Sequence, residues 1–211
     1  MSHALSFDSP SPSINPLSRD LCSAPLAQLC DTLDALFEAC SPFADASASR
    51  LFAHGLRDAL ARSAASAGLL APAHFAGSTE HYERHLLAAD PRGRYAIAAL
   101  VWMPGQRSPV HAHHTWCAYA VLDGMLSETL FEWDDAGQHA STVRTHDRPT
   151  GAVSFARGGR DGSGGIHQLG NRSAAPAVSL HVYGVAGERI ATHVNDVVPA
   201  ADTAAISTAA A

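Results

Sequence analysis

The sequence predicts a mainly β protein: an antiparallel β-barrel of the jelly-roll kind, with N-terminal α-helices packed outside it. Beyond Tyr95, short runs of β-branched, aromatic and alternating residues recur at roughly ten-residue intervals. These runs are YAIAALVW, VHAHHTW, CAYAVL, MLSETLFEW, GAVSFA, GIHQLG and AVSLHVYG, and turn signals at Pro104-Gly105, Asp123-Gly124 and Gly164-Gly165 separate them. Many short, evenly spaced strands suit a closed or doubled antiparallel sheet, which leaves few exposed edges. Before Tyr95 the apolar residues fall instead at helical spacing.

Taken in order, residues 1–20 (with SFDSPSPSINPL) form a flexible lead-in, because repeated Ser-Pro breaks helix and sheet alike. A helix is predicted from about Ala24, with Ser23 as its cap and Pro25 in its first turn. Leu26, Leu29, Cys30, Leu33, Leu36, Phe37 and Cys40 then repeat on one face, which makes Cys30 and Cys40 core residues. A second helical stretch is expected over Ala46 to Ser66, where Phe52, Leu56 and Leu60 stack among alanines. This divides the chain into a helical portion at 21–93, the barrel at 94–199 and a flexible alanine-rich tail at 200–211.

The 211 residues, 46% hydrophobic, suffice for one buried core. A net charge of −6 with no lysine or arginine run argues against nucleic acid or an anionic membrane as partner. No stretch approaches the ~18 consecutive apolar residues of a membrane span, so a soluble protein is expected. The four cysteines, at 22, 30, 40 and 117, contain no Cys-x-x-Cys pair and follow no secretory segment. That pattern fits a reducing compartment, the cytoplasm.

The chemistry is carried by histidines. His111 and His113 lie two apart in a predicted strand, so alternation puts both imidazoles on one face and turns His114 to the other. His167 lies in a distant predicted strand, where barrel closure brings it against the pair and completes a three-nitrogen face with open positions for other ligands. His3, His54, His74, His81, His85, His139, His146 and His193 have no partner at ligand spacing.

Reading outward from the pair gives Gly105, five residues, His111, one, His113, three, Cys117, six, and Gly124. Each spacing resembles the first motif of the cupin superfamily, with Cys117 where most metal cupins carry a glutamate ligand. Gly164, His167 and Asn171 resemble the second motif, without its upstream proline. A cysteine in place of the acidic ligand marks the thiol dioxygenases, and from about Tyr82 to Tyr183 the chain resembles cysteine dioxygenase. The resemblance implies Fe(II) held by His111, His113 and His167, and oxidation of a small thiol carboxylate such as L-cysteine to a sulfinate with both atoms of O2. Three histidines and a water also describe catalytic zinc sites, so the ligands alone do not select iron.

Ser179, His181 and Tyr183 alternate in SLHVYG and present a hydroxyl, an imidazole and a phenol on one strand face. The family carries the same run as a hydrogen-bond relay into the iron pocket. Cys117 shares parity with the histidine pair, and some relatives join this cysteine to the relay tyrosine through a thioether. Arg84, with Tyr82 before it, matches the family's clamp for the substrate carboxylate, a role suited to a bidentate guanidinium. Gly184 departs from the serine and proline of several relatives. Trp102, Trp116 and Trp133 read as packing residues. The resemblance leaves open 3-mercaptopropionate or mercaptosuccinate as substrate, and a metal-binding cupin without catalysis.

Overall fold

Pro25 presets a helical φ, and α1 spans Ala24–Ala39 with its apolar stripe buried. Ser23 occupies the cap position, yet its hydroxyl donates to the Leu69 carbonyl at 3.0 Å and makes no bond to its own helix end. The expected side-chain cap is therefore absent, and the serine ties the helix start to the loop beyond the second helix instead. That second stretch resolves into a 3-10 turn, Ala46–Ala48, capped by the Asp45 carboxylate, followed by α2 (Arg50–Ala64). Phe52, Leu56 and Leu60 are fully buried on its inner face. The computed structural model describes residues 22–159 and 165–201. The lead-in at 1–20, Gly164 of the second histidine motif and tail residues 202–211 lie outside the described residues.

Among the described residues ten strands follow: β1 (Glu83–Ala89), β2 (Ala96–Trp102), β3 (His111–His113), β4 (Cys117–Asp123), β5 (Met125–Asp134), β6 (His139–Pro149), β7 (Val153–Ala156), β8 (Ile166–Gly170), β9 (Ala177–Tyr183) and β10 (Asn195–Val197). They form two five-stranded antiparallel sheets, ordered β1-β2-β9-β4-β7 and β10-β3-β8-β5-β6. β1 lies within the stretch expected to be helical: HLLAA has strong helix formers, but pairing with β2 along its length overrides local propensity. β6 is polar on both faces and exposed along most of its length, so it shows no alternation to read. It is an edge strand held by its ladder to β5.

The helices cover the outer face of the first sheet, so that sheet is buried on both sides. In β2, Ala96, Ala98, Leu100 and Trp102 point into the barrel, while Ile97 and Ala99 pack with the α1 and α2 residues. β9 divides in the same way, with Leu180 and Val182 against the helices and Tyr183 inward. That double coverage is why AIAALVW is buried at every position. Trp116 packs on this helical side against Phe37, Phe52 and Phe155. The β4–β5 turn needs glycine: Gly124 has φ +73°, and a Cβ there would stand 2.7 Å from the Pro176 carbonyl. At the C-terminal end Ala200 bridges to Ala140.

Candidate metal centre

The two histidine motifs are stapled together by backbone. Gly105 N–H donates to the Asn171 carbonyl and Asn171 N–H to the Gln106 carbonyl, each at 2.8 Å. The Asn171 amide donates to the carbonyls of Trp102 and Ala175, and its oxygen accepts from Ser173. The spaced glycine and asparagine are thus scaffold, and they bring β3 beside β8 with His111 opposite His167. His113 shares the inward parity of His111, and His114 is exposed.

The three imidazoles are buried, with ring centroids 4.7 to 5.0 Å apart and one ligand atom from each within 4.8 Å of the others. His111 Nδ1 donates to the Pro109 carbonyl and His167 Nδ1 to Glu128 Oε1, both at 2.9 Å. Each bond leaves Nε2 as the lone-pair nitrogen. Among the described residues, His167 Nε2 and His113 Nδ1 are buried without a hydrogen-bond partner. Buried ring nitrogens without a partner are costly unless something, such as a cation, satisfies them. Burial, reinforced by neighbouring imidazoles, pushes His111 down to about 3 and His113 well below its ordinary value, so both stay neutral, the form that binds metal. The donor set fits a divalent transition ion.

A pocket opens onto this face. Tyr82, Arg84, Cys117, His181 and Tyr183 line it with the three histidines; Ser179 stands behind His181. Arg84, on β1, donates from a terminal nitrogen to the Ile190 carbonyl at 2.9 Å and lies 5.8 Å from the Tyr183 ring centre. Its Nε is buried without a partner among the described residues. Tyr82 stacks on Trp102 at 4.4 Å. Cys117 and Tyr183 are directly opposed on β4 and β9. Burial pushes both the thiol and the phenol above their ordinary values, against the nearby charge of Arg84.

The Ser179–His181 step is hydrogen-bonded, Oγ to Nε2 at 2.9 Å. The next step is a ring contact: His181 and Tyr183 stack at 5.5 Å, and His181 Nδ1 has no hydrogen-bond partner among the described residues. Trp102, read above as packing, does more, since its Nε1–H donates to Ser179 Oγ at 2.9 Å. The proton assignment that also uses the Ser179 hydroxyl has it donating to His181 Nε2.

Asn195 and Glu128 are among the residues that, like Trp102, escaped the sequence reading as parts of the site. Asn195, on β10, joins the pocket lining. Glu128, on β5, holds His167 from behind, and bonds from His167 and Tyr119 with the Arg148 charge outweigh burial and keep its carboxyl well below the usual range. Parity was the available signal: Glu128 falls two residues after inward-facing Leu126, where a charge needs a buried partner.

Fold and site together define a jelly-roll protein with a buried three-histidine cluster arranged so that it could hold a metal ion. The chain belongs to the cysteine dioxygenase type I family, whose description matches residues 71–192. Cysteine dioxygenase type 1 of Rattus norvegicus is 33% identical over 104 residues, covering 48% of this chain and 50% of the relative. The Homo sapiens protein of that name is 34% identical over the same lengths. The chain thus spans about half the length of the curated relatives it matches. Among solved structures, a double-stranded β-helix protein from Klebsiella pneumoniae aligns over 58% of this chain and 88% of its own, with TM-score 0.43 and 14% identity. No helix among the described residues is long and apolar enough to cross a membrane.

Proposed function

We propose that this protein is an Fe(II)-dependent thiol dioxygenase that oxidises L-cysteine to cysteine sulfinate with O2, acting in the cytoplasm, where thiols stay reduced. One observation carries the reading: a single pocket joins the imidazole triad to the guanidinium of Arg84. The histidines would hold the ion, and Arg84 would grip the carboxylate of a substrate whose sulfur lies at the metal.

Ferrous iron, when bound, supplies the redox chemistry that adds both oxygen atoms to sulfur. The chain's own residues set the stage for it. Three neutral nitrogens with no carboxylate ligand leave the cation's charge uncompensated, which favours an anionic sulfur in the pocket. Arg84 fixes the other end of the substrate, so thiol and oxidant meet in one orientation. Tyr183 lines the pocket with its phenol protonated, because burial opposes the phenolate. Trp102 and Ser179 hold the His181 ring in place behind it.

The reading is tested with protein purified without oxygen, its metal analysed, and oxygen uptake followed on L-cysteine, 3-mercaptopropionate and mercaptosuccinate. L-Cysteine is expected to turn over fastest. His111→Ala, His113→Ala and His167→Ala should each abolish uptake while the protein remains folded. A metal-binding protein without catalysis would take up iron and consume no oxygen with any of the three.

A further inference from the structure

Glu128 is 5% exposed, at the middle of β5, between β8 and β6. A carboxylate so buried has lost its water and must be held by donors. Both oxygens are. Oε1 accepts from His167 Nδ1 at 2.9 Å. Oε2 accepts from the Tyr119 hydroxyl at 2.9 Å, with His146 Nε2 at 3.2 Å and Arg148 Nε at 3.6 Å. Tyr119 comes from the opposite sheet, so the carboxylate links the two sheets and the histidine at once. Glu128 is not among the residues that line the pocket, so it reaches the site through His167.

We propose that Glu128 is a positioning residue for the metal centre. Its carboxylate fixes the His167 ring as the Nδ1–H form with Nε2 turned toward the ion, and its negative charge makes that nitrogen a stronger donor. His111 receives only a neutral carbonyl, from Pro109, so the three ligands are unequal and His167 is the electron-rich one. Tyr119 and Arg148 keep the carboxylate in place and His146, on the edge strand, completes its shell. This role presupposes that His111, His113 and His167 hold Fe(II).

The alternative is that Glu128 only fastens the sheets together, and two variants separate the roles. Glu128→Gln can keep an oxygen at His167 Nδ1 but loses the charge; Tyr119→Phe removes the bond across the sheets and leaves the His167 bond intact. For each, the Fe(II) dissociation constant is measured by anaerobic chelator competition, the midpoint potential of the bound iron by redox titration, and the thermal midpoint on metal-free protein. Glu128→Gln should weaken Fe(II) binding about 10- to 100-fold and raise the potential, because a negative charge that favours the ferric ion is gone. Tyr119→Phe should lower the thermal midpoint and leave affinity and potential near wild type.

Wild-type affinity and potential in Glu128→Gln, or equal losses in both variants, would overturn the proposal. If Glu128→Gln does not fold, Glu128→Asp, which withdraws the carboxylate from Nδ1, must weaken Fe(II) binding for the role to stand. Absence of saturable Fe(II) binding in the wild type would instead remove the metal reading itself, and this role with it.

Discussion

Cys117 and Tyr183 stand directly opposite each other on neighbouring antiparallel strands, both buried and both facing the pocket. Opposed residues in such a ladder have Cα atoms about 4.5–5.5 Å apart, close enough for sulfur to meet the phenol ring. A thioether between them is therefore expected to form during turnover with iron and O2, the thiol S–H and a ring C–H of the tyrosine giving way to the S–C bond as two electrons pass to O2. Intact mass should show a species lighter by two hydrogens, absent from Cys117→Ser; a single unmodified mass after extended turnover would exclude the link.

Arg84 is aimed by its bond to Ile190 and by the Tyr183 ring, and its Nε has no partner among the described residues. In the proposed function Arg84 grips the substrate carboxylate, so replacing it with alanine would remove that charged hydrogen bond. KM for L-cysteine should rise about 10- to 100-fold, with a smaller change in kcat. An unchanged saturation curve would remove Arg84 from substrate binding.

Packing accounts for the glycine at Gly184. A Cβ there would lie 2.3 Å from Trp116 Nε1 and 2.6 Å from Thr115 Oγ1. The backbone is pinned on both sides, with Gly184 N–H donating to Trp116 and its carbonyl accepting from Thr115. Gly184→Ser should cost about 1–3 kcal/mol through overpacking, read by urea denaturation. Wild-type stability would mean that the loop yields freely.

Asp90 anchors the sheet to α1. Its buried carboxylate accepts from the Arg94 side chain at 2.6 Å, and Arg94 also reaches Asp34 on the helix. Burial favours the neutral acid, but the bonds from Arg94 outweigh it and hold the Asp90 carboxyl below its ordinary value. Asp90→Asn should cost about 1–3 kcal/mol at neutral pH. Because the folded-state pKa is depressed, this advantage is complete above the unfolded value of about 3.9 and fades as pH falls toward the lower folded value. Denaturation of both proteins at pH 7 and below pH 4 checks it; a difference that does not shrink in acid would contradict the ion pair.

What could be read from sequence followed from periodicity and parity. The helical stripe of α1, the inward turn of His111 and His113 and the outward turn of His114 are consequences of fixed repeat geometry. β6 was invisible because an edge strand with two polar faces has no alternation. Ser23 shows another limit: a good cap residue was diverted to Leu69 by a loop whose path no local pattern encodes. Glu128 and Trp102 were missed as site residues for a related reason. Their partners, His167 and Ser179, lie far along the chain, and only the pairing of strands brings them within bonding distance.

Oxygen uptake by anaerobically purified protein, with its iron content measured on the same sample, decides whether the protein is an iron-dependent thiol dioxygenase. Bound ferrous iron and consumption of O2 matched by formation of cysteine sulfinate are expected, both lost in His167→Ala. Protein that takes up no iron, or a reaction with thiol that runs equally well without oxygen, would contradict that reading.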